Sequence, residues 1–479
     1  MKKIFILLVI VILYSQFIFA QKTVWPMNGK IRVYFNRPVN TSVSSGTNAV
    51  YLNSCIADTL VNYINRAKYT LDFAVYNTSS STAVNKVITA VNNAKTRGVT
   101  VRWIYDGSST NSALSSLNSG INKLGSPTTS SYGIMHCKFM IIDANSSTTT
   151  DPIVWTGSTN FSTQQFNTDV NNVVIIQDKP LAQAYTAEFN EMWGSITATP
   201  NATNSKFGPL KTDPLSTHTF TIGGKTVELY FSPTDGANAH IESAIASAGT
   251  DLYFGVYTFT ENVDANAIVT KHNAGVYSAG IIDQYSEYQG NSSACTSCPY
   301  SILTSGLGSS LFKVYTQSNS IYHSKYVIVD PSNTSSDPLV ETGSHNWTSS
   351  ADTKNDENIL IIHDATVANM YYQSFFKNFT DLGGTLNVIT GVEPDDKPSS
   401  LFIYPNPCSG YLTIKASGSD IFNNLEIQLF DLYGREVLTQ IIQSQDYFKI
   451  NTENLKEGIY FLKIATPSSV QTRKLEVIR

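Results

Sequence analysis

Seven histidines occur in this 479-residue chain, and two of them sit in the same pattern. His136-Cys137-Lys138 is followed by Asp143 and then by Gly157-Ser158-Thr159-Asn160. His323-Ser324-Lys325 is followed by Asp330 and then by Gly343-Ser344-His345-Asn346. These residue types suit cleavage of a phosphodiester, whose anion repels nucleophiles and whose alkoxide leaves poorly. A neutral imidazole can attack phosphorus and split the reaction into two easier steps. A second, protonated imidazole can donate to the departing oxygen and then activate water. Lys138 and Lys325 would offset phosphate charge. Ser158, Asn160, Ser344 and Asn346 would donate hydrogen bonds to its non-bridging oxygens. No cofactor is called for, and no metal-ligand cluster is evident in the sequence. Singly, each residue has a plainer reading: Lys138 as a surface lysine, Asp143 and Asp330 as structural ends of apolar strands. The doubled constellation is what favours chemistry. His218, His240, His272 and His363 lie outside it, and His345 occupies its variable position.

The elements that must position these groups are also duplicated, across residues 30–390. Val33-Tyr34-Phe35 answers Leu229-Tyr230-Phe231. Helix-like segments near 55–67 and 240–248 follow, then apolar strands over 71–76 and 252–257. Second helices near 83–94 and 265–272 lead to strands ending in Asp106 and Asp283. The alternation predicts α/β units around a mostly parallel sheet. On a strand, a histidine and a lysine two apart face the same side. The second half takes ten residues more to reach its histidine, as a loop over 285–308 that can overhang the site or be an inert insertion.

The repeated H-x-K-x(4)-D and G-S-x-N patterns resemble those of the phospholipase D superfamily. The resemblance implies two pseudo-symmetric α/β/α sandwich repeats, at 21–205 and 206–390. It implies a catalytic set of His136, Lys138, Asp143, His323, Lys325, Asp330 and Glu357, with no metal. Glu357 lies 13 residues after Ser344 and would orient a catalytic histidine; Asn171 holds the matching place after Ser158. By family precedent His136 is the nucleophile and His323, supported by Glu357, the general acid. The substrate would be a phospholipid or another phosphodiester, with contact to a membrane surface and a monomeric enzyme. A nuclease of the same superfamily is the alternative, since Asn355-Asp356-Glu357-Asn358 resembles such enzymes. The net charge of −5 weighs against it, because nonspecific nucleic-acid binding rests on many basic contacts to phosphate. A non-enzymatic surface adhesin would not need complete motifs in both halves.

The ends of the chain concern delivery. Met1-Lys2-Lys3, an apolar run to Phe19 and Ala20-Gln21 read as a signal peptide over 1–20. Residues 391–400 read as a Pro/Asp/Ser-containing linker, and short alternating runs after it predict a small β-sandwich over 401–479. Within it Tyr404-Pro405-Asn406-Pro407, Phe430-Asp431, Gly434-Arg435 and Gly458-Ile459-Tyr460-Phe461 resemble the C-terminal sorting domain of type IX secretion cargo. That resemblance implies a secreted or outer-surface protein handled by the type IX machinery. Of five cysteines, Cys295 and Cys298 are spaced to close a small disulfide loop after export.

Overall fold

The computed structural model describes residues 29–129, 132–284, 295, 297–386 and strand-bearing segments between 402 and 477. The expected signal peptide and linker lie outside the described residues, as do residues 285–294 of the expected loop. The chain divides into two compact units, Met1–Gly391 and Val392–Arg479.

Two eight-stranded sheets form the first unit. The first contains β1 (Ile31–Phe35), β2 (Val50–Tyr51), β3 (Thr70–Val75), β4 (Thr100–Tyr105), β5 (Asn122–Gly125), β6 (Lys138–Ile142), β7 (Ile153–Gly157) and β8 (Asn172–Ile176), in the order β2-β1-β8-β7-β6-β3-β4-β5. The second contains β9 (Thr219–Ile222), β10 (Lys225–Ser232), β11 (Asp251–Val256), β12 (Tyr277–Asp283), β13 (Phe312–Tyr315), β14 (Lys325–Val329), β15 (Leu339–Gly343) and β16 (Glu357–His363), in the order β13-β12-β11-β14-β15-β16-β10-β9. Reversed, the second order matches the first: β10 stands for β1, β16 for β8, β15 for β7, β14 for β6 and β11 for β3.

The sheets are mixed, which corrects the expectation of mostly parallel strands. Strands β3, β4 and β5 are parallel. Strands β1, β8, β7, β6 and β3 alternate in direction. The helix Thr82–Thr96 gives β3 and β4 the crossover that parallel pairing requires. No long helix intervenes between β6, β7 and β8, so each turns back on its neighbour.

Side chains alternate across each strand, so both faces of each sheet need cover. The inner faces share one core, in which Phe139, Tyr185 and Phe189 join Tyr326, Tyr371 and Phe375. Tyr185 and Phe189 come from helix Lys179–Trp193, and Tyr371 and Phe375 from helix Ala365–Asp381. Each helix starts at an aspartate, Asp178 or Asp364, whose carboxylate caps the backbone three residues on. The outer face of the first sheet is covered by helices Ile56–Ile64 and Thr82–Thr96, whose buried residues recur at helical spacing. Helices Ala237–Ser247, Asn262–Asn273 and Pro299–Leu311 cover the second. The last of these corrects the expected long loop, since Leu303 and Leu307 pack into the core. Cys298 begins it and is disulfide-bonded to Cys295.

In the C-terminal unit, a three-stranded and a four-stranded sheet enclose Leu412, Ile414, Ile427, Leu429, Leu462 and Ile464. Among the described residues, no helix is long and apolar enough to cross a membrane.

Candidate active site

The two halves meet at their motifs. His136 precedes β6, which begins at Lys138, and its N–H donates to the Asp356 carbonyl of the other half at 2.9 Å. On the opposite side, Val170 N–H donates to the Ile321 carbonyl at 2.8 Å. The variable residue of each motif repeats the exchange: Cys137 Sγ donates to the Asp356 carbonyl and Ser324 Oγ to that of Val170. Asp106 accepts from Met135 N–H and Asp283 from Tyr322 N–H, each fixing the residue before a histidine. Beneath the site, Asn172 bonds Thr342 and Tyr371, while Asn358 bonds Thr156 and Tyr185.

This exchange decides which group supports which histidine. Glu357 was expected behind His323; it lies against His136, with Nδ1 2.8 and 2.9 Å from its carboxylate oxygens. Asn171 of the first half lies against His323, Oδ1 to Nδ1 at 3.1 Å. Both partners are acceptors, so each ring carries its proton on Nδ1 and keeps the Nε2 lone pair for chemistry. The serines of the G-S-x-N motifs act one layer back. Ser344 Oγ donates to Glu357 at 2.6 Å and Ser158 Oγ to Asn171 at 2.8 Å. Neither is thereby free to bind phosphate as expected. Asn160 and Asn346 each carry an amide oxygen with no hydrogen-bond partner.

The lysines are alike. Lys138 Nζ donates to the His136 carbonyl and Lys325 Nζ to the His323 carbonyl, each at 2.5 Å. Each lies over a tyrosine ring, Lys138 above Tyr76 at 5.3 Å and Lys325 above Tyr257 at 5.0 Å. The same tyrosines touch the imidazoles, with centroids 4.9 Å apart in both halves. They occupy equivalent places, each immediately after its strand, Tyr76 after β3 and Tyr257 after β11.

The four groups feel one another's charge across the two halves. Burial, then Lys325, Lys138 and His136, hold the His323 imidazolium well below the ordinary histidine range. Burial likewise lowers His136, to about 4, against the opposing pull of Glu357. Burial works to raise Glu357, but His136 and Lys138 outweigh it and keep the carboxylate ionised. Burial lowers Lys138 to about 8, and burial together with Lys138 takes Lys325 well below its usual value. An empty site therefore disfavours the protonated form of both imidazoles and both lysines. An anion between them would offset that.

Asp143 and Asp330 stand elsewhere. Each lies at the far end of its strand, seven residues beyond the histidine, roughly 23 Å away at about 3.3 Å per residue. Asp143 accepts the backbone N–H groups of Lys68, Tyr69 and Thr70; Asp330 accepts those of Gly249, Thr250 and Asp251. Both adopt positive φ, 51° and 49°, and fasten the turn that enters β3 or β11. Their geometry is that of a fold clamp, not of a group touching phosphate.

A buried ion cluster backs only one histidine. Lys211, from the segment joining the halves, lies 2.5 Å from Glu188 and 3.2 Å from Asp356, all fully or nearly fully buried. It also donates to the Ser232 carbonyl at 2.7 Å. Burial alone would lower Lys211, but Glu188 and Asp356 hold it above the ordinary lysine range.

The family described as "Cardiolipin synthase, PLD-like domain" matches residues 60–193 and 241–379. The secretion system C-terminal sorting domain family matches residues 402–478. A phospholipase D of Rickettsia prowazekii is 25% identical over 181 residues, 38% of this chain and 81% of that protein. A mitochondrial cardiolipin hydrolase of Xenopus tropicalis is 30% identical over 133 residues, 27% of this chain and 56% of its own length. The crystal structure of phosphatidylserine synthase from Haemophilus influenzae superposes with a TM-score of 0.52 at 14% identity, covering 76% of this chain and 89% of that one, a likeness of fold.

Proposed function

Since the chain belongs to the phospholipase D-like family and is a phosphodiesterase of that superfamily, we propose that it is a secreted enzyme hydrolysing phospholipid phosphodiesters through a phosphohistidine. The observation that carries the mechanism is the crossed pairing of His136 with Glu357 and His323 with Asn171. A phosphorylated imidazole bears positive charge, and a carboxylate on its Nδ1–H stabilises that charge where an amide cannot. His136 is therefore the nucleophile. Its Nε2 attacks phosphorus as His323 gives a proton to the departing alcohol. His323 is a weak base in the empty site, so the imidazolium formed when the anionic substrate arrives is a strong acid. It then takes a proton from water as that water attacks the phosphohistidine, freeing phosphatidate and restoring neutral His136. Lys138, Lys325, Asn160 and Asn346 hold the non-bridging oxygens. Ser158 and Ser344 position Asn171 and Glu357.

The lipid reading rests on the relatives' names, on the net charge of −5 and on the sorting-domain match, which points to export by the type IX route. The test is the purified protein against phosphatidylcholine vesicles, cardiolipin vesicles and single- and double-stranded DNA, all with EDTA, at a temperature where it stays folded. Headgroup release that vanishes in His136→Ala is the expected result. Cleaved DNA with intact lipid would replace the lipid reading by the nuclease one. Activity that needs an added divalent ion for chemistry would remove the phosphohistidine route.

A further inference from the structure

The outer core of the two halves is not the same. In the first, Trp155 of β7 fills the space between sheet and helices, packed edge-on against Tyr63. The register with β8 and β16 puts Glu341 of β15 in the matching place: Trp155 pairs with Ile175, and Glu341 with Ile361. Glu341 is fully buried, and neither of its carboxylate oxygens has a hydrogen-bond partner. Its ladder neighbours Val327 and Ile361 offer no side-chain donor, and the Val327 backbone N–H eases its burial only in part. A buried carboxylate without a partner is destabilising, most of all when charged.

Other groups converge on it. Asp264, fully buried at the start of helix Asn262–Asn273, has one unpartnered oxygen, and its charge adds to burial in raising the Glu341 carboxyl. The matching helix Thr82–Thr96 buries only Val, Ile and Ala. Asn238, 7% exposed in helix Ala237–Ser247, donates its amide to Asp264 at 3.3 Å and to Glu242 at 3.1 Å. Its amide oxygen is left without a donor. Asp352 accepts the Asn238 backbone N–H, and it stands where the first half has buried Phe166. Glu242, Glu261 and Asp352 form a half-buried rim around the pair, each raising the Asp264 carboxyl. None of these five acids takes part in an ion pair among the described residues. Aromatic bulk has been exchanged for buried oxygens, several of which have no side-chain donor among the described residues.

We propose that the second half binds a divalent cation of the calcium class between its sheet and helices Ala237–Ser247 and Asn262–Asn273, with Glu341, Asp264 and Asn238 as oxygen ligands. The donor set is all hard oxygen, two carboxylates and an amide, as such cations require. The acidic rim gives the ion an entry path and can supply further oxygens through water. The cation does for this half what Trp155 does for the other: it fills and ties the outer core. The site lies on the face of β15 away from the central core and takes no part in the phosphoryl transfer proposed above.

The test uses the full chain, stripped with chelator and titrated with CaCl₂. Calorimetry should show one ion bound at this site, and saturation should raise the melting temperature by roughly 5 °C. Glu341→Gln gives the decisive sign. In chelator it should melt no lower than the parent, because an uncompensated carboxylate is gone; in calcium it should melt lower, because a ligand is gone. Asp264→Asn should behave likewise and serves if Glu341→Gln does not fold. A parent protein with no calcium heat and no thermal shift, or variants that keep its full calcium response, would overturn the proposal.

Discussion

His136 and His323 occupy equivalent places, yet their surroundings are chemically unequal. Around both, the lysine, the tyrosine, the strand-ending aspartate and the serine one layer back repeat position for position. What differs is charge. His136 has a carboxylate behind it and the Lys211 cluster beside it; His323 has an amide, with Val170 where Asp356 stands. The duplicated fold supplies two equivalent imidazoles, whereas the two-step reaction proposed above needs one that keeps phosphorus and one that moves protons. Replacing one carboxylate by an amide divides those roles without altering the frame.

Removing either imidazole should have the largest effect. His136→Ala and His323→Ala should each lose roughly 10⁴-fold or more in kcat, with the double variant scarcely slower, because the groups act as one unit. Only His323→Ala should accumulate phosphoenzyme, with a substrate whose leaving group needs no proton. Phosphoenzyme in His136→Ala would reverse the assignment.

Exchanging the partners tests the asymmetry itself. Glu357→Gln should cost about 10²- to 10³-fold in kcat, the scale for losing one preorganised electrostatic group. Asn171→Asp should slow the enzyme less, by lifting the basicity of His323 and so weakening its imidazolium as an acid. Equal losses from both changes would mean that the halves share their roles.

Lys211→Met addresses the cluster. It leaves Glu188 and Asp356 buried without their cation, which should cost about 3–5 kcal/mol in urea unfolding. In the other half the helix position equivalent to Glu188 is Ser374, each three residues past the equivalent tyrosines Tyr185 and Tyr371, so the ion cluster has no counterpart there among the described residues. Ser374→Ala should cost no more than about 1 kcal/mol. Similar costs would remove the cluster from the list of differences.

The pH profile should show a smaller effect. In the free enzyme, kcat/KM should fall below about 4 as His136 gains a proton and above about 8 as Lys138 loses one. Stability should move the other way on the alkaline side. Between about 8 and the ordinary lysine value of 10.5, the unfolded chain holds the Lys138 proton more than the native state does, so this group's contribution rises with pH. Activity and stability falling together above 8 would point to unfolding instead.

Much of this was legible in the sequence, for identifiable reasons. The doubled motif marked His136, Lys138, His323 and Lys325, and the spacing from Ser344 marked Glu357. Which histidine Glu357 serves was not legible, because the pairing crosses between halves and depends on how two sheets pack. Asp143 and Asp330 are invariant in spacing, yet spacing alone does not separate a turn clamp from a catalytic acid. Strand direction was misjudged because alternation of strands and helices fixes layers, whereas direction depends on where helices are missing, as between β6 and β8. Lys211 lies in a segment without periodicity, so no pattern pointed to its burial.

The smallest expected effect concerns the contrast between the two units. Every histidine lies before residue 364, and the C-terminal unit has its own core of Leu412, Ile427, Leu462 and their neighbours. A chain stopped at Gly391 retains both sheets, both imidazoles and the helices Lys179–Trp193 and Ala365–Asp381 that bind them together. Its kcat on a soluble phosphodiester should match that of the full chain within about twofold, while in its host it should remain inside the cell. The soluble substrate matters, because a lipid assay would also report any grip of the tail on the vesicle. If the shortened protein is folded by circular dichroism yet inactive on the soluble substrate, the division of labour fails. The sorting unit would then have to complete the catalytic one, and the duplicated halves would not suffice for the chemistry their symmetry suggests.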